Sequence, residues 1–223
     1  MKTQIIYEDN EIIVCYKPAG IAVQSAGLTQ QDMVSELKNY LGNPYLGVIH
    51  RLDQPVSGIV VFAKNQKAAA SLSSQVQNGG ADKIYRALVC GCFEEGAKEG
   101  ILEHILYKDA KSNMSKVVLS GGKKAKLEYK VLEERETDGH KYSELEIKLY
   151  TGRHHQIRVQ MAASGHPILG DTKYGHELSK TLNDNFENKN LKLCAYRLSF
   201  RHPKTNKTVT FEVPVKPWQE NCQ

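Results

Sequence analysis

Hydrophobic and polar positions along this chain fall into short runs, and most of the runs have the pattern of strands. Residues 12–17 (IIVCYK) predict a strand, halted by the turn signal Pro18-Ala19-Gly20. Residues 58–63 (GIVVFA) form a continuous β-branched and aromatic run, the pattern of a central strand buried on both faces. The tract 46–53 leads into it through Gln54-Pro55. Further strands are expected at 83–90, 126–132, 143–149, 194–200 and 208–213. A helix is expected over 31–41, capped by Thr29, with Met33, Val34, Leu37 and Leu41 at helical spacing. Asn65 caps a second, which runs to Gln77 and stops at Asn78-Gly79-Gly80. A third runs from His154 to about Ser164, before Gly165. Residues 108–124, rich in Lys, Ser and Gly, and 175–192, rich in Asn and Lys, read as exposed loops. Strands outnumber helices and arrive in runs rather than in strict βα alternation. The expected fold is therefore α+β, one domain over 1–223 around a mixed, mainly antiparallel β-sheet with flanking helices.

Composition narrows the class only a little. At 223 residues, 40% hydrophobic and 25% charged, the chain can bury an ordinary globular core. The first twenty residues hold no uninterrupted apolar stretch of the signal-peptide kind. No run approaches the roughly 20 apolar residues of a membrane span. Five cysteines, an odd number, argue for a reducing compartment, and a cytoplasmic location is expected. A net charge of +5 is compatible with an RNA partner without showing one.

Polar chemistry concentrates in two places. His50-Arg-Leu-Asp-Gln-Pro-Val-Ser-Gly58 sets a carboxylate, Asp53, on a loop ahead of a buried strand, a position suited to catalysis. The plainer role is a turn cap beside Pro55. Gly152-Arg-His-His-Gln-Ile-Arg158 is the second. On a helix starting near His154, His154 and Arg158 share a face, as do Gln156 and Gln160, while Ile157, Met161 and Ser164 face inward. The plainer reading is a solvated basic helix start. Neither the adjacent histidines nor Cys90-Gly-Cys92 has metal-ligand spacing, so no metal is expected.

Taken in order, HRLDQPVSGIVVFAK, KIYRALVCG, TGRHHQIRVQMAASGHPILGDTKYG and LCAYRLSFRHP resemble the RluA-type pseudouridine synthase family, over about residues 5–214. The resemblance implies a pseudouridine synthase catalytic domain that isomerises uridine in rRNA or tRNA, without a separate N-terminal RNA-binding domain. Asp53 stands at the family's essential aspartate, and Tyr85 at the tyrosine that packs on the target base. Arg158 stands at the arginine that pairs with the aspartate. Leu193 matches an apolar residue flooring the pocket, and Arg51 the side chain that fills the gap left by the flipped uridine. Val56 and Cys194 depart from the Thr and His of many members, which bears on substrate choice more than on activity.

Isomerisation breaks N1–C1′, turns the base and joins C5 to C1′; nothing is oxidised or lost, so no cofactor is expected. Attack by Asp53 at the ribose or at the base both require an ionised carboxylate. A neighbouring arginine favours that form of a carboxylate by roughly 1–3 pK units and can hold it bidentately. Extruding the base costs a few kcal/mol, part of which Arg51 offsets by stacking where the base was, while Tyr85 gives the uracil a flat apolar face. His50 and His154 are candidates for phosphate contact or, equally, for structural roles; Arg153, Lys173, Lys123, Lys124 and Lys126 are further candidates, the plainer reading of each being a solvated surface side chain. A monomer acting on RNA, with no membrane association, is expected. Two other readings compete, a catalytically silent RNA-binding protein on the same fold and a hydrolase using Asp53 with a histidine. The second lacks a nucleophile elbow or a water-activating metal motif.

Overall fold

The structure, a computed structural model, describes residues 3–25, 31–186, 188–213 and 218. In chain order the elements are β1 (Gln4–Glu8), β2 (Ile12–Lys17), α1 (Met33–Leu41), β3 (Gly47–Val48), β4 (Ser57–Ala63), α2 (Gln66–Gln77), β5 (Asp82–Cys90), β6 (Glu99–Asp109), β7 (Met114–Val118), β8 (Lys123–Thr137), β9 (His140–Leu149), α3 (Gln156–Ala163), α4 (Glu177–Asn183), β10 (Leu193–Arg201) and β11 (Thr208–Glu212). The class is α+β, with a mixed, mainly antiparallel sheet and flanking helices, as expected. The chain divides into two compact units, Met1–Lys83 with Cys194–Gln223, and Ile84–Leu193.

In the first unit the strands run β1-β2-β4-β10, with β11 on β10 and β3 on β4. The pairs are antiparallel except β4 with β10, which is parallel at Cys194↔Ser57 and Ala195↔Gly58. Strand β4 is buried on both faces, which its unbroken apolar run predicts. Gly58 enters it at φ +127°, and a Cβ there would stand 2.4–2.7 Å from the Ala195 main chain. Only glycine allows β4 and β10 to pair at that point. Helix α2 lays Ala68 and Leu72 on Ile12, Val14, Ile59 and Val61. Its cap is Asn65, whose Oδ1 accepts from the Ala68 N–H at 2.9 Å. For α1 the cap is Asp32, which accepts from Ser35 N–H at 2.7 Å and from Ser25 N–H at 2.6 Å. Thr29, the expected cap, lies outside the described residues.

The second unit is an antiparallel sheet in the order β5-β9-β8-β6-β7. Here the sequence misleads twice. Residues 108–124 are not a loop; they hold the end of β6, all of β7 and the start of β8. Among the described residues strand β7 pairs only with β6, from Ile105↔Val118 to Asp109↔Met114, and buries little besides Ser115. An exposed edge strand needs no apolar alternation, so composition alone cannot announce it. The expected loop 175–192 contains α4, which buries Ser179, Leu182 and Asn183.

Candidate active site

Asp53 opens a tight turn in which the Val56 N–H donates to the Asp53 carbonyl at 3.0 Å. This turn is stitched to Pro18–Ile21. Gly20 N–H donates to the Gln54 carbonyl at 2.8 Å, and Gln54 Nε2 returns a bond to the Gly20 carbonyl at 3.0 Å. At the centre lies Lys17, wholly buried, whose Nζ donates to the carbonyls of Pro18 (3.0 Å), Ile21 (2.7 Å) and Gln54 (2.9 Å). Burial pushes the Lys17 ammonium down to about 8, and the negative charge of Asp53 opposes that fall. Asp53 itself is half-buried. Lys17 thus joins two turns by main-chain acceptors and stands in the field of the carboxylate, a role nothing in the pattern IIVCYK announces.

His50, three residues earlier, serves the sheet. Its Nε2 accepts the Val61 N–H at 3.3 Å, where β3 no longer covers β4. Burial, with help from the Lys83 charge, pushes it down to about 4, so the ring is neutral near pH 7. Arg51 is exposed, and Val56 and Cys194 are buried.

Within the second unit Arg158 is held differently. It lies on α3, which begins at Gln156 rather than at His154. His154 therefore stands outside the helix and shares no helical face with Arg158. Nor is the helix start solvated; Gln156 through Met161 are all buried, while Ser164, expected inward, is exposed. Gln156 replaces a cap, accepting from Thr151 Oγ1 (2.8 Å) and Arg153 N–H (3.0 Å) and donating to the Lys126 carbonyl (3.1 Å). The Arg158 guanidinium meets Asp171 in a fork, Nε to Oδ2 at 2.8 Å and Nη2 to Oδ1 at 2.6 Å. Burial alone would raise the Asp171 carboxyl; Arg158 and the Tyr174 and Lys173 N–H groups outweigh it and hold the group below the usual range.

The Tyr174 ring lies 5.2 Å from the Arg158 guanidinium, a cation–π distance. Its hydroxyl accepts from Ser115 N–H at 2.7 Å and bonds His155 Nδ1 at 2.8 Å. His155 sits at φ +53°, left-handed for a residue other than glycine, and stacks on His154 at 3.8 Å. Such conformations persist where surrounding contacts over-determine them, as at functional sites. Burial, then the charge of Arg158, pushes His155 down to about 3, so it is neutral as well. Asp171 and Tyr174 are not singled out by the sequence pattern, although both lie in the segment GDTKYG. Their one signal is the pair of glycines. A Cβ on Gly175 would stand 2.2 Å from the Asp171 carbonyl, and one on Gly170 2.8 Å from that of Asn190.

Tyr85 is buried on β5 opposite Ile147, and Leu193, also buried, opens β10. Of the expected phosphate contacts, Lys126 pairs with Glu103 at 2.7 Å, and Lys173 Nζ is held by the Asn113 carbonyl at 2.9 Å. Arg153, Lys123 and Lys124 are exposed, while His154 is half-buried with its Nδ1 2.9 Å from Ser115 Oγ. Burial pushes the thiols of Cys15 and Cys194 up to about 12 and that of Cys90 up to about 11, so these three are not nucleophiles near neutrality. Among the described residues no three His, Cys, Asp or Glu side chains gather as a metal site, and no helix is long and apolar enough to cross a membrane.

Comparison with known proteins agrees with the motifs. The profile of the family described as RNA pseudouridylate synthase matches residues 11–163. The ribosomal large subunit pseudouridine synthase D of Neisseria meningitidis is 36% identical over 226 residues, covering 96% of this chain and 59% of that protein. The chain thus spans under two thirds of that relative. The dual-specificity RNA pseudouridine synthase RluA of Vibrio parahaemolyticus is also 36% identical, covering 95% of this chain and 83% of its own. The tRNA pseudouridine synthase C of the same organism is 30% identical, over 99% and 94%. A solved structure, human RNA pseudouridylate synthase domain containing 1, superposes with a TM-score of 0.79 over 96% of this chain and 83% of that one; at 24% identity it speaks for the fold alone. On the profile, and on relatives at 30–36% identity across nearly its whole length, the chain belongs to the RNA pseudouridylate synthase family.

Proposed function

We propose that this protein isomerises uridine to pseudouridine in rRNA or tRNA, with Asp53 as the catalytic carboxylate. The observation that carries the reading is the family match over residues 11–163, which includes Asp53, Tyr85 and Arg158. The fixed aim of two of these groups supports it. Asp53 rides on a turn clasped around a buried ammonium, and Arg158 is forked onto a buried carboxylate. In this reading Asp53 attacks as nucleophile or acts as base, Arg158 favours its ionised form, and Tyr85 gives the uracil a flat face. Arg51, exposed, fills the space that the flipped uridine leaves, and Leu193 floors the pocket. Asp171 enters as a positioning residue, because it fixes the plane of the guanidinium. No redox change occurs and no group is lost, so the reaction needs no cofactor, and the spacing of the histidines and of Cys90 and Cys92 speaks against a metal. The protein acts as one catalytic domain, a monomer in the cytoplasm, with RNA as its partner.

The test is tritium release from C5-tritiated uridine in RNA. Wild-type protein should release tritium, and Asp53→Asn should fall to background while its circular dichroism and RNA binding stay close to wild type. Substantial turnover by Asp53→Asn would remove the carboxylate from the chemistry. RNA binding without release by the wild type would mark a silent RNA-binding protein, and strand cleavage a hydrolase.

A further inference from the structure

Two side chains hold the Arg158 guanidinium, and they restrain different motions of it. The fork to Asp171 fixes one edge, through Nε at 2.8 Å and Nη2 at 2.6 Å. Two parallel bonds act as a hinge: the plane keeps its edge but can rock about the line through the carboxylate oxygens. Tyr174 answers that second motion. Its ring lies over the guanidinium with the centroid 5.2 Å from Cζ, so rocking toward that side meets the ring face. The two holders are also tied to each other. Tyr174 N–H donates at 3.0 Å to Asp171 Oδ1, the oxygen that takes Nη2. Carboxylate, guanidinium and tyrosine therefore close a triangle. Gly175 allows the turn that closes it, since its N–H donates to the Asp171 carbonyl at 3.0 Å and a Cβ there would stand 2.2 Å from that oxygen.

The far end of the Tyr174 ring is fixed as firmly as the near end. Its hydroxyl oxygen accepts the Ser115 N–H at 2.7 Å, and its proton is then directed to His155 Nδ1 at 2.8 Å. The His155 ring stands nearly perpendicular to Tyr174, at 84° with centroids 5.5 Å apart, and stacks on His154. His155 also belongs to the foot of α3, where its carbonyl accepts the Val159 N–H at 3.0 Å. One residue thus meets both the helix that carries Arg158 and the ring that lies over it. A left-handed histidine, at φ +53°, is strained, and such strain is retained where the side chain it places has a task. Phenylalanine at 174 would keep the ring and lose both hydroxyl bonds. An aliphatic side chain would supply neither.

We propose that Tyr174 is a positioning residue for the isomerisation, holding the Arg158 guanidinium against out-of-plane rocking, with His155 fixing the ring through its hydroxyl. The inference rests on the isomerase reading and adds to it two residues that act through Arg158. The variants Tyr174→Leu, Tyr174→Phe and His155→Asn should be compared with Tyr142→Leu, which removes a buried tyrosine of the same unit outside this network. Asparagine tolerates the left-handed backbone at 155. Two readouts are needed. One is tritium release from C5-tritiated rRNA and tRNA, resolved into kcat and KM. The other is the NMR shift of the Arg158 Nε–H, assigned by its loss in Arg158→Lys. Tyr174→Leu should lower kcat on the order of thirtyfold, as expected for loss of a desolvated cation–π contact. Its KM should stay within about twofold of wild type, the mark of an interaction used in the transition state. The Nε–H should lose the upfield shift that an aromatic face imposes, and Tyr174→Phe should retain it. Tyr174→Phe and His155→Asn should each lower kcat less, and their double variant by less than the product of the two, because they share one bond. Tyr142→Leu should melt earlier yet keep both kcat and the Nε–H shift. If Tyr174→Leu melts too early to assay, the Phe, Asn and double variants carry the test. A loss confined to KM, a fall in kcat matched by Tyr142→Leu at equal loss of melting temperature, or an Nε–H shift unmoved in Tyr174→Leu overturns the proposal. Absence of tritium release by the wild type sinks the isomerase reading instead, whereas the Nε–H shift reports on the clamp whether or not the protein turns over.

Discussion

The turn that carries Asp53 and the helix that carries Arg158 are fixed by opposite means. Around Asp53 the partners are main-chain carbonyls, gathered by one buried ammonium, Lys17. Around Arg158 they are the side chains of Asp171 and Tyr174, and the Tyr174 hydroxyl is held in turn by His155 Nδ1 and the Ser115 N–H. A main-chain clasp depends on the path of the backbone and tolerates changes in the clasped side chains, so Ile21 could vary while the turn stays put. A side-chain network depends on every member. Each device hangs on one buried charge, which makes that charge the place to cut.

The largest effect should come from Asp171→Ala. It leaves the Arg158 cation buried opposite nothing from position 171, at about 3–5 kcal/mol in urea denaturation, with tritium release falling as the guanidinium loses its aim. A cost below 1 kcal/mol would show that the fork is not what holds α3 there. Next, Lys17→Met removes the donor from the Pro18 and Ile21 carbonyls and should cost about 2–3 kcal/mol, with loss of activity because the Asp53 turn loosens. Since burial lowers the Lys17 ammonium to about 8, the unfolded chain binds more protons between about 8 and its ordinary 10.5. The Lys17 contribution therefore grows as pH rises through that window, and a wild-type-minus-variant difference flat from pH 8 to 10.5 would contradict the burial.

A third test sets the two regions against each other in acid. His50, near the Asp53 turn, and His155, in the Arg158 network, are lowered from 6.5 to about 4 and about 3. Below pH 6.5 the unfolded state takes up protons that these folded rings refuse, so stability falls with pH, down to about 4 for His50 and about 3 for His155. At the full shift the fall should be on the order of 3 kcal/mol for His50 and about 5 for His155. Removing one histidine at a time should flatten its own part of the curve; an unchanged acid limb in either variant would show that ring to be solvated. The smallest effect serves as the baseline: Asn65→Ala, a cap outside both regions, should cost about 1 kcal/mol and leave tritium release unchanged.

Legibility followed the reach of the interactions. Strand β2 over Ile12–Lys17, helix α2 with its Asn65 cap, and the buried strand β4 were all visible, because a run of apolar side chains or a cap is a local property. Strand β7 and helix α4 were not; one is made by pairing to β6 and the other lies in an Asn- and Lys-rich stretch that buries three residues once folded. The start of α3 falls two residues later than the pattern suggests because His155 adopts a left-handed conformation, in which it stacks on His154 and bonds Tyr174. Among site residues, Asp53 and Arg158 could be singled out from polar crowding and the family pattern, whereas Asp171 could not. Its importance is a pairing with a residue thirteen positions earlier, which no periodicity encodes.

By itself, then, the sequence determined the class of fold and the family and offered candidates for the residues that carry the chemistry, because these are written in local runs and in motifs kept in order. The tertiary structure alone decided that a lysine ending a strand becomes the buried centre of the Asp53 turn, and that a carboxylate after a glycine becomes the holder of Arg158. It also decided that a lysine-rich stretch becomes paired strands rather than a loop. The physical reason is common to all three. A charge acquires its role from what surrounds it after burial, and those surroundings come from parts of the chain that are distant in sequence.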